Sequence, residues 1–316
     1  MRLNELYSGK NAFIFQGVGI KYQKFLTLLD ESQRELLKEY CSIVYKKIKL
    51  DLWGYLTRSL SGEYDDKFSD WVSIYTIDCV VYNTYIEDGI KPSVLLGYSM
   101  GLITALACGK AISFEEGLEL LSMSYNYPKY TSRKDEGMGL VTGMTCSDIK
   151  KIIDKNELGD YAYIASENNE YCILVSGMKN RVDKLLSIAL TEGALSAKDI
   201  DSPYAFHSKY ALIGIEEYEK LVSRLCVCNL KIPIISSYDQ RIIVDSCELK
   251  KELVKNVWGE MKWMASVEKA ININNYNFFE VSLIDSISRF SRMINSNCKF
   301  FTYKSFMKIK NVQVQN

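Results

Sequence analysis

Gly97-Tyr98-Ser99-Met100-Gly101 places a serine between two glycines, and the chain contains a single histidine, His207, within Tyr204-Ala205-Phe206-His207-Ser208. A serine hydroxyl becomes a nucleophile when a neighbouring base takes its proton, so a lone histidine is the obvious candidate base. The apolar run Val94-Leu95-Leu96 precedes the first string and a helical stretch over 102–109 follows it. That is the strand-turn-helix context of a G-x-S-x-G nucleophile elbow, whose sharp turn aims Oγ into a cleft. Taken alone, Ser99 also reads as a serine in an ordinary glycine turn and His207 as a satisfied core side chain.

Composition narrows the function classes. With 39 basic and 39 acidic residues among 316 the formal net charge is zero, so no chain-wide field draws the protein to nucleic acid or anionic lipid. A hydrophobic fraction of 47% at this length suffices for one large domain, or a large one with a small insertion. No apolar run reaches the roughly 18 residues of a spanning helix, and Met1-Arg2-Leu3-Asn4-Glu5 lacks the apolar core of a signal peptide. A cytoplasmic address is expected. The nine cysteines form no C-x-x-C pair; Cys226 and Cys228, the closest two, alternate in a strand-like run. Reduced, buried cysteines are expected, and a single histidine leaves no set of ligands for a metal.

The elements that must position these residues follow from periodicity and turn chemistry. Asn11-Ala12-Phe13-Ile14-Phe15 reads as a buried strand closed by the turn Gln16-Gly17-Val18-Gly19. Helical spacing runs over 21–50 and again over 70–88, and Gly89 and Pro92 break it before the strand that delivers Ser99. Strand, turn and helix twice in succession mark an α/β chain. After a helix over 115–125 the character changes to a strand from Gly137, a helix through 149–153, strands at 161–165 and 172–176, and a helix over 181–191. That β-α-β-β-α order over about 70 residues is a small split βαβ unit, inserted into the larger domain. The α/β alternation then returns, with strands at 232–236 and 278–281 around a helix over 248–257. The polar tail after Lys308 is expected to fray.

Four strings in the right order resemble the malonyl-CoA:acyl-carrier-protein acyltransferases and the acyltransferase domains of polyketide synthases. Phe13-Ile14-Phe15-Gln16-Gly17-Val18-Gly19 resembles that family's F-x-F-P-G-Q-G, and Gly97 through Leu102 its G-H-S-x-G-E. Asn168 through Gly177 resembles its asparagine box, and Phe206-His207-Ser208 its F-H-S box. The resemblance implies an α/β-hydrolase-like large domain, discontinuous over 1–124 and 198–316, with a ferredoxin-like insertion at 125–197 and the cleft between them. It also implies a ping-pong acyl transfer in which Ser99 attacks a thioester, His207 acts as base and then acid, and an acyl-serine ester forms. In the same way it assigns the oxyanion hole to the backbone N–H groups of Val18 and Met100. It places Tyr98, Asn168 and Tyr204 at the substrate and has the histidine oriented by a carbonyl from the later helix region, at or near Asn256. No metal or redox cofactor is implied. The implied partner is an acyl carrier protein, whose phosphopantetheine arm, or CoA, carries the acyl group; nucleic acid and membrane are not implied.

Departures from the family pattern bear on the substrate. Relatives that select malonyl units carry an arginine on the helix after the elbow; a gapless count brings Ser124 to that position, and no arginine lies on that helix. Lys129 and Arg133, the nearest cations, lie beyond Pro128. A buried carboxylate without its partner costs about 3–5 kcal/mol, so an uncharged acyl group is expected, with Ser124 in its pocket. Arginine-less relatives in polyketide pathways act as hydrolases that clear short acyl groups from carrier proteins, with water replacing the accepting thiol. The leading expectation is therefore a proofreading acyl hydrolase of polyketide biosynthesis. Its alternatives are an acyltransferase for an uncharged or unusual acyl unit and an inactive acyltransferase-like scaffold subunit.

A fluorophosphonate probe separates both enzymes from the scaffold. The native chain is expected to label, Ser99→Ala not at all, and His207→Ala about a hundredfold more slowly or worse. A native chain that does not label leaves only the scaffold.

Overall fold

The computed structural model describes residues 10–58, 66–131, 135–200, 202 and 204–314, with side chains described outside 127–131 and 311–314. Strand β1 (Asn11–Phe15) is buried at every residue. A 3-10 turn at Tyr22–Leu28 follows, then helices α1 (Glu31–Ile48), α2 (Leu52–Thr57) and α3 (Lys67–Glu87). The single helix expected over 21–50 is split because Asp30 and Gln33 form a reciprocal capping box that starts a new helix at Glu31. Helix α3 is buried nearly all round, against the sheet, α1 and a later helix, so its apolar residues follow no single face. Strand β2 (Pro92–Gly97), helix α4 (Gly101–Cys108) and helix α5 (Phe114–Thr131) complete the first part of the chain. The backbone of α5 continues through Pro128, so the boundary expected at 124 falls within it. The Lys129 and Arg133 side chains lie outside the described residues.

The inserted unit runs β3 (Glu136–Thr142), α6 (Cys146–Lys155), β4 (Ala162–Asn169), β5 (Cys172–Met178), α7 (Lys179–Thr191) and β6 (Ser196–Asp199). Its sheet has the order β4-β5-β3-β6 with antiparallel pairing throughout, which is the ferredoxin-like arrangement. Strand β6 falls where the sequence reads as a lead to His207 and across the boundary expected at 197. Its Ser-Ala-Lys-Asp sequence carries no apolar signal because it is an exposed edge strand.

The chain then returns to the large domain with α8 (Ile215–Arg224), β7 (Ile234–Ile235), β8 (Ile242–Ile243), α9 (Ser246–Trp258), α10 (Trp263–Asn272), β9 (Asn277–Glu280), α11 (Ser288–Ser291), β10 (Lys299–Phe301) and α12 (Tyr303–Val314). The expected frayed tail is helical to Val314; the helix is anchored by buried Phe306, whose ring meets Tyr85 edge-on at 5.3 Å. The large sheet has the order β10-β9-β1-β2-β7-β8, parallel except for β8. With β1 central and both faces covered, its residues divide by parity. Phe13 and Phe15 pack toward α3, with Phe13 edge-on to Tyr82 at 5.8 Å, whereas Ala12 and Ile14 pack toward Trp263 and Phe278. The cysteines are free, but Cys226, Cys228 and Cys247 are exposed, and no strand forms at 226–228.

The two domains meet along an unshared face. Helices α6 and α7 cover one side of the small sheet through Ile149, Ile152, Val182 and Leu185. The other side presents Met138, Leu140 and Leu174, which pack with Phe206. Backbone bonds join the domains at β4, where Met261 N–H donates to Ala165 O at 2.9 Å and Glu167 N–H to Met261 O at 3.1 Å.

The elbow glycines are required by close approach. A Cβ on Gly101 would sit 2.2 Å from the carbonyl oxygen of Phe15, and one on Gly97 would sit 2.4 Å from Leu102 Cα. Because the obstructing atoms are backbone, Gly101→Ala is expected to destabilise the protein by about 2 kcal/mol or more in urea unfolding. An unchanged midpoint would contradict the packing of α4 on the end of β1.

Candidate active site

Strand β2 ends at Gly97, and the chain turns so tightly before α4 that Ser99 takes a left-handed backbone conformation, φ 54°. A non-glycine residue held there is strained and persists only because its surroundings fix it. Tyr98 N–H donates to Phe15 O at 2.9 Å and Gly101 N–H to Tyr98 O at 2.9 Å, tying the turn to β1 and to itself. Ser99 Oγ lies 2.8 Å from His207 Nε2. His207 is itself left-handed, φ 57°, and buried.

The imidazole is oriented by main chain. His207 Nδ1 lies 3.1 Å from Gly259 O and its backbone N–H donates to Val257 O at 3.0 Å. With the Nδ1 proton given to Gly259, Nε2 is left as the acceptor for the Ser99 hydroxyl. The expectation that Asn256 orients the histidine is corrected here. Its Nδ2 donates to the carbonyl of Ser99 at 3.0 Å, and its Oδ1 accepts from Tyr238 Oη at 2.6 Å. Asn256, in the last turn of α9, faces the elbow, while the carbonyls of Val257 in that turn and of Gly259, which caps the helix in an extended conformation, face the histidine.

The loop after β1 packs directly on the elbow. A Cβ on Gly17 would lie 3.2 Å from Tyr98 O and 3.4 Å from Ser99 Cβ, which brings the next residue, Val18, alongside the serine. Among the described residues neither Val18 N–H nor Met100 N–H donates a hydrogen bond. Two unengaged N–H groups on the two strand ends flanking Ser99 are the donors that an anionic oxygen would need.

Above the serine is a cleft of about 520 Å³ between the domains. Tyr98 and Asn168 line it and bond to one another: Tyr98 Oη donates to Asn168 Oδ1 at 2.8 Å, and Ser166 Oγ donates to the same oxygen at 2.8 Å. Burial raises the Tyr98 phenol far above its ordinary value, so it remains a neutral donor. Ser124 and Tyr204 are not at the cleft surface. Ser124 Oγ lies 3.2 Å from Tyr218 Oη, and the Tyr204 ring stands edge-on to Phe206 at 5.7 Å. The wall of the cleft on the side of α3 is aromatic and is built by other residues. Trp71 and Phe206 line the cleft with their rings 5.8 Å apart, and Tyr125 meets Trp71 edge-on at 5.4 Å from behind. Leu140, Leu174 and Met261 continue the apolar wall. Trp71 escapes sequence reasoning because it belongs to a helix buried on all sides, and the orienting carbonyl expected near Asn256 belongs to Gly259, which no side chain marks.

The cations of the cleft are Lys21 and Lys67, at its rim with Asp70, whose Oδ2 is 4.0 Å from Lys21 Nζ. Among the described residues no group of three or more His, Cys, Asp or Glu side chains is placed to hold a metal ion. Nor is any helix long and apolar enough to cross a membrane.

No family model matches the chain. Its sequence is similar to the malonyl CoA-acyl carrier protein transacylase of Bacillus subtilis (strain 168), 22% identical over 229 residues, 72% of this chain and 72% of that one. It is also similar to the polyketide biosynthesis malonyl CoA-acyl carrier protein transacylase PksC of the same organism, 27% identical over 212 residues, 66% of this chain and 72% of that one. Its structure matches the malonyl CoA-acyl carrier protein transacylase (fabD) from Coxiella burnetii with a TM-score of 0.85 at 21% identity, over 97% of this chain and 98% of that one. A second match, also with a TM-score of 0.85, is to a type II PKS acyl-carrier protein in complex with its malonyl-transacylase, at 14% identity, over 98% of this chain and 100% of that one. The mixed α/β fold is thus that of the malonyl transacylases.

Burial lowers the His207 pKa from its ordinary 6.5 to about 4, against a smaller opposing effect of the Gly259 carbonyl. A lowered value means that the ring is neutral, and able to accept a proton, at every pH above about 4. Acylation of Ser99 by a fluorophosphonate is therefore expected to be level from about pH 8 to about pH 5 and to fall only as the pH passes through about 4. An acid limb centred on 6.5 would contradict the burial of His207.

Proposed function

We propose that this chain transfers an uncharged acyl group of an acyl carrier protein through an ester on Ser99. The observation that carries the reading is the 2.8 Å contact of Ser99 Oγ with His207 Nε2 beneath an apolar cleft. In the first step Oγ bonds to the thioester carbonyl carbon as its proton passes to Nε2. The N–H groups of Val18 and Met100 receive the negative oxygen. The intermediate collapses by breaking the C–S bond; the sulfur leaves with the proton from Nε2, and the acyl group stays on Ser99. While His207 is protonated, its Nδ1–H bond to Gly259 O disperses the charge in the role a carboxylate plays in a serine triad. An accepting thiol then gives its proton to Nε2 and repeats the sequence in reverse.

The acyl unit is inferred from the wall. A malonyl carboxylate in this cleft would face Trp71, Phe206 and the apolar side of the small sheet, without a guanidinium to pair with. The two cations of the cleft, exposed Lys21, shared with Asp70, and Lys67, are ammonium point charges and do not substitute for a buried bidentate arginine. Transfer to a thiol is supported by the relatives' activities. Hydrolysis, with water as the second acceptor in a proofreading role, is a second reading of the same residues, and it is favoured by the absence of a carboxylate clamp.

Intact-mass analysis tests both. Acetyl-loaded and malonyl-loaded carrier proteins are incubated separately with the native chain in the presence of a second, unloaded carrier of different mass. Movement of acetyl onto the second carrier is the expected result and means transfer, while loss of acetyl without gain means hydrolysis. Malonyl handling should be slower than acetyl by about a hundredfold. Malonyl handled as well as acetyl would overturn the assignment of an uncharged substrate.

A further inference from the structure

A second chamber, of about 560 Å³, opens beside the cleft. Its walls are the loop from Val18 to Lys21, the adjoining 3-10 turn at Lys24 and Phe25, and the segment 284–289. Val18, Gly19, Ile20, Lys21 and Ser286 line both cavities, so the chamber and the cleft share a mouth.

The chamber has two chemical faces. Lys21, Lys24 and Arg289 are exposed cations. The one carboxylate, Asp285, is already held by Arg292 at 2.8 Å. Among the described residues the Lys24 and Arg289 side chains have no hydrogen-bond or ion-pair partner. Ile20, Phe25 and Ile284 are the half-buried apolar part of its lining. Unengaged cations and apolar side chains lining one chamber suit a phosphate ester whose neighbouring carbons carry alkyl groups. Arginine and lysine take the phosphate oxygens, and the apolar wall takes the alkyl carbons.

The arm of an acyl carrier protein begins with such a group, a phosphodiester next to a dimethyl-substituted carbon, and ends in the thiol that carries the acyl unit. We infer that the chamber binds the phosphate end of a phosphopantetheine arm through Lys24 and Arg289, while the thioester end passes through the shared mouth to Ser99. The inference rests on the acyl-carrier reading above. It adds a phosphate-recognition site on the outer side of the loop that carries Val18.

The same phosphate chemistry is offered by a carrier protein and by free CoA, and the test separates them from each other and from the chemistry at Ser99. Free phosphopantetheine and its phosphate-free counterpart pantetheine are titrated calorimetrically into the native chain and into Lys24→Gln/Arg289→Gln. Neither probe carries an acyl group, so the result does not depend on turnover, which the labelling and mass experiments report independently. The native chain is expected to prefer phosphopantetheine by about tenfold or more, and the double variant by no more than about twofold. Arg289→Lys, which keeps the charge, should retain most of the preference, and raising the salt should shrink it in the native chain without any substitution. Equal affinities in the native chain, or a preference that survives in the double variant, would overturn the site. With acylated substrates, the KM for both acyl-carrier and acyl-CoA should rise about tenfold in the double variant. A rise for the carrier alone would mean that the two cations touch the surface of the carrier protein, and would overturn the phosphate assignment.

Discussion

Asn256 and Val257 in the last turn of α9, and Gly259 that caps it, all grip the Ser99–His207 pair. Asn256 donates to the carbonyl of Ser99, while Val257 and Gly259 accept the backbone and ring protons of His207. Two residues in left-handed backbone conformations, far apart in sequence, are thus referred to one rigid element, and the 2.8 Å contact between them follows from that common anchor. Strain of this kind persists only where neighbouring contacts over-determine the backbone. Here the constraints come from the helix terminus on one side and from β1, through Phe15 O and Tyr98 N–H, on the other.

The loops around the site are held by buried polar groups behind them. Gln16, at the end of β1, donates through Nε2 to both oxygens of Asp78 at 3.2 and 3.1 Å, and Tyr22 Oη donates to Asp78 at 2.7 Å. Ser282 joins the same cluster through Gln16. This network brackets the segment that contains Gly17, Val18 and Lys21, so that the loop lies against the elbow. On the facing side the Glu280 carboxylate accepts the N–H groups of Ser286, Ile287 and Ser288 at 2.9, 2.9 and 3.1 Å. Burial pushes Glu280 up to about 7. Each network pairs a buried carboxylate, Asp78 or Glu280, with donors that offset its burial, and each fixes one wall shared by the cleft and the neighbouring chamber.

The cleft exists because the small sheet is covered on one side only. Its α6 and α7 face makes a core of its own, while Met138, Leu140 and Leu174 remain to be covered by the large domain. Phe206, next in sequence to His207, supplies part of that cover, so the residue that delivers the base also shapes the acyl site. The aromatic group of Trp71, Tyr125 and Phe206 then decides polarity. It occupies the side of the cleft toward α5, where a charged side chain would have had to be buried.

Sequence alone determined the parts whose chemistry is local. A glycine-flanked serine between a strand and a helix, a single histidine, a buried first strand and the alternation of α/β with an inserted split βαβ unit are readable because each depends on residue type and spacing over a few turns of chain. The start of α1, the edge strand β6 and the terminal helix α12 are not readable in the sequence, since a capping box, an exposed edge and a helix anchored through Tyr303 and Phe306 leave little apolar periodicity. Tertiary structure decided the rest. Asn256 was marked as orienting the histidine, yet it holds Ser99, and Gly259 does the orienting through a carbonyl that carries no sequence signature. The resemblance places Ser124 and Tyr204 at the substrate, yet Ser124 is paired with Tyr218, the Tyr204 ring stands against Phe206, and neither lines the cleft. Which side chain reaches a cleft depends on helix rotation and on what neighbouring elements already fill, and neither is encoded within the segment that carries the residue.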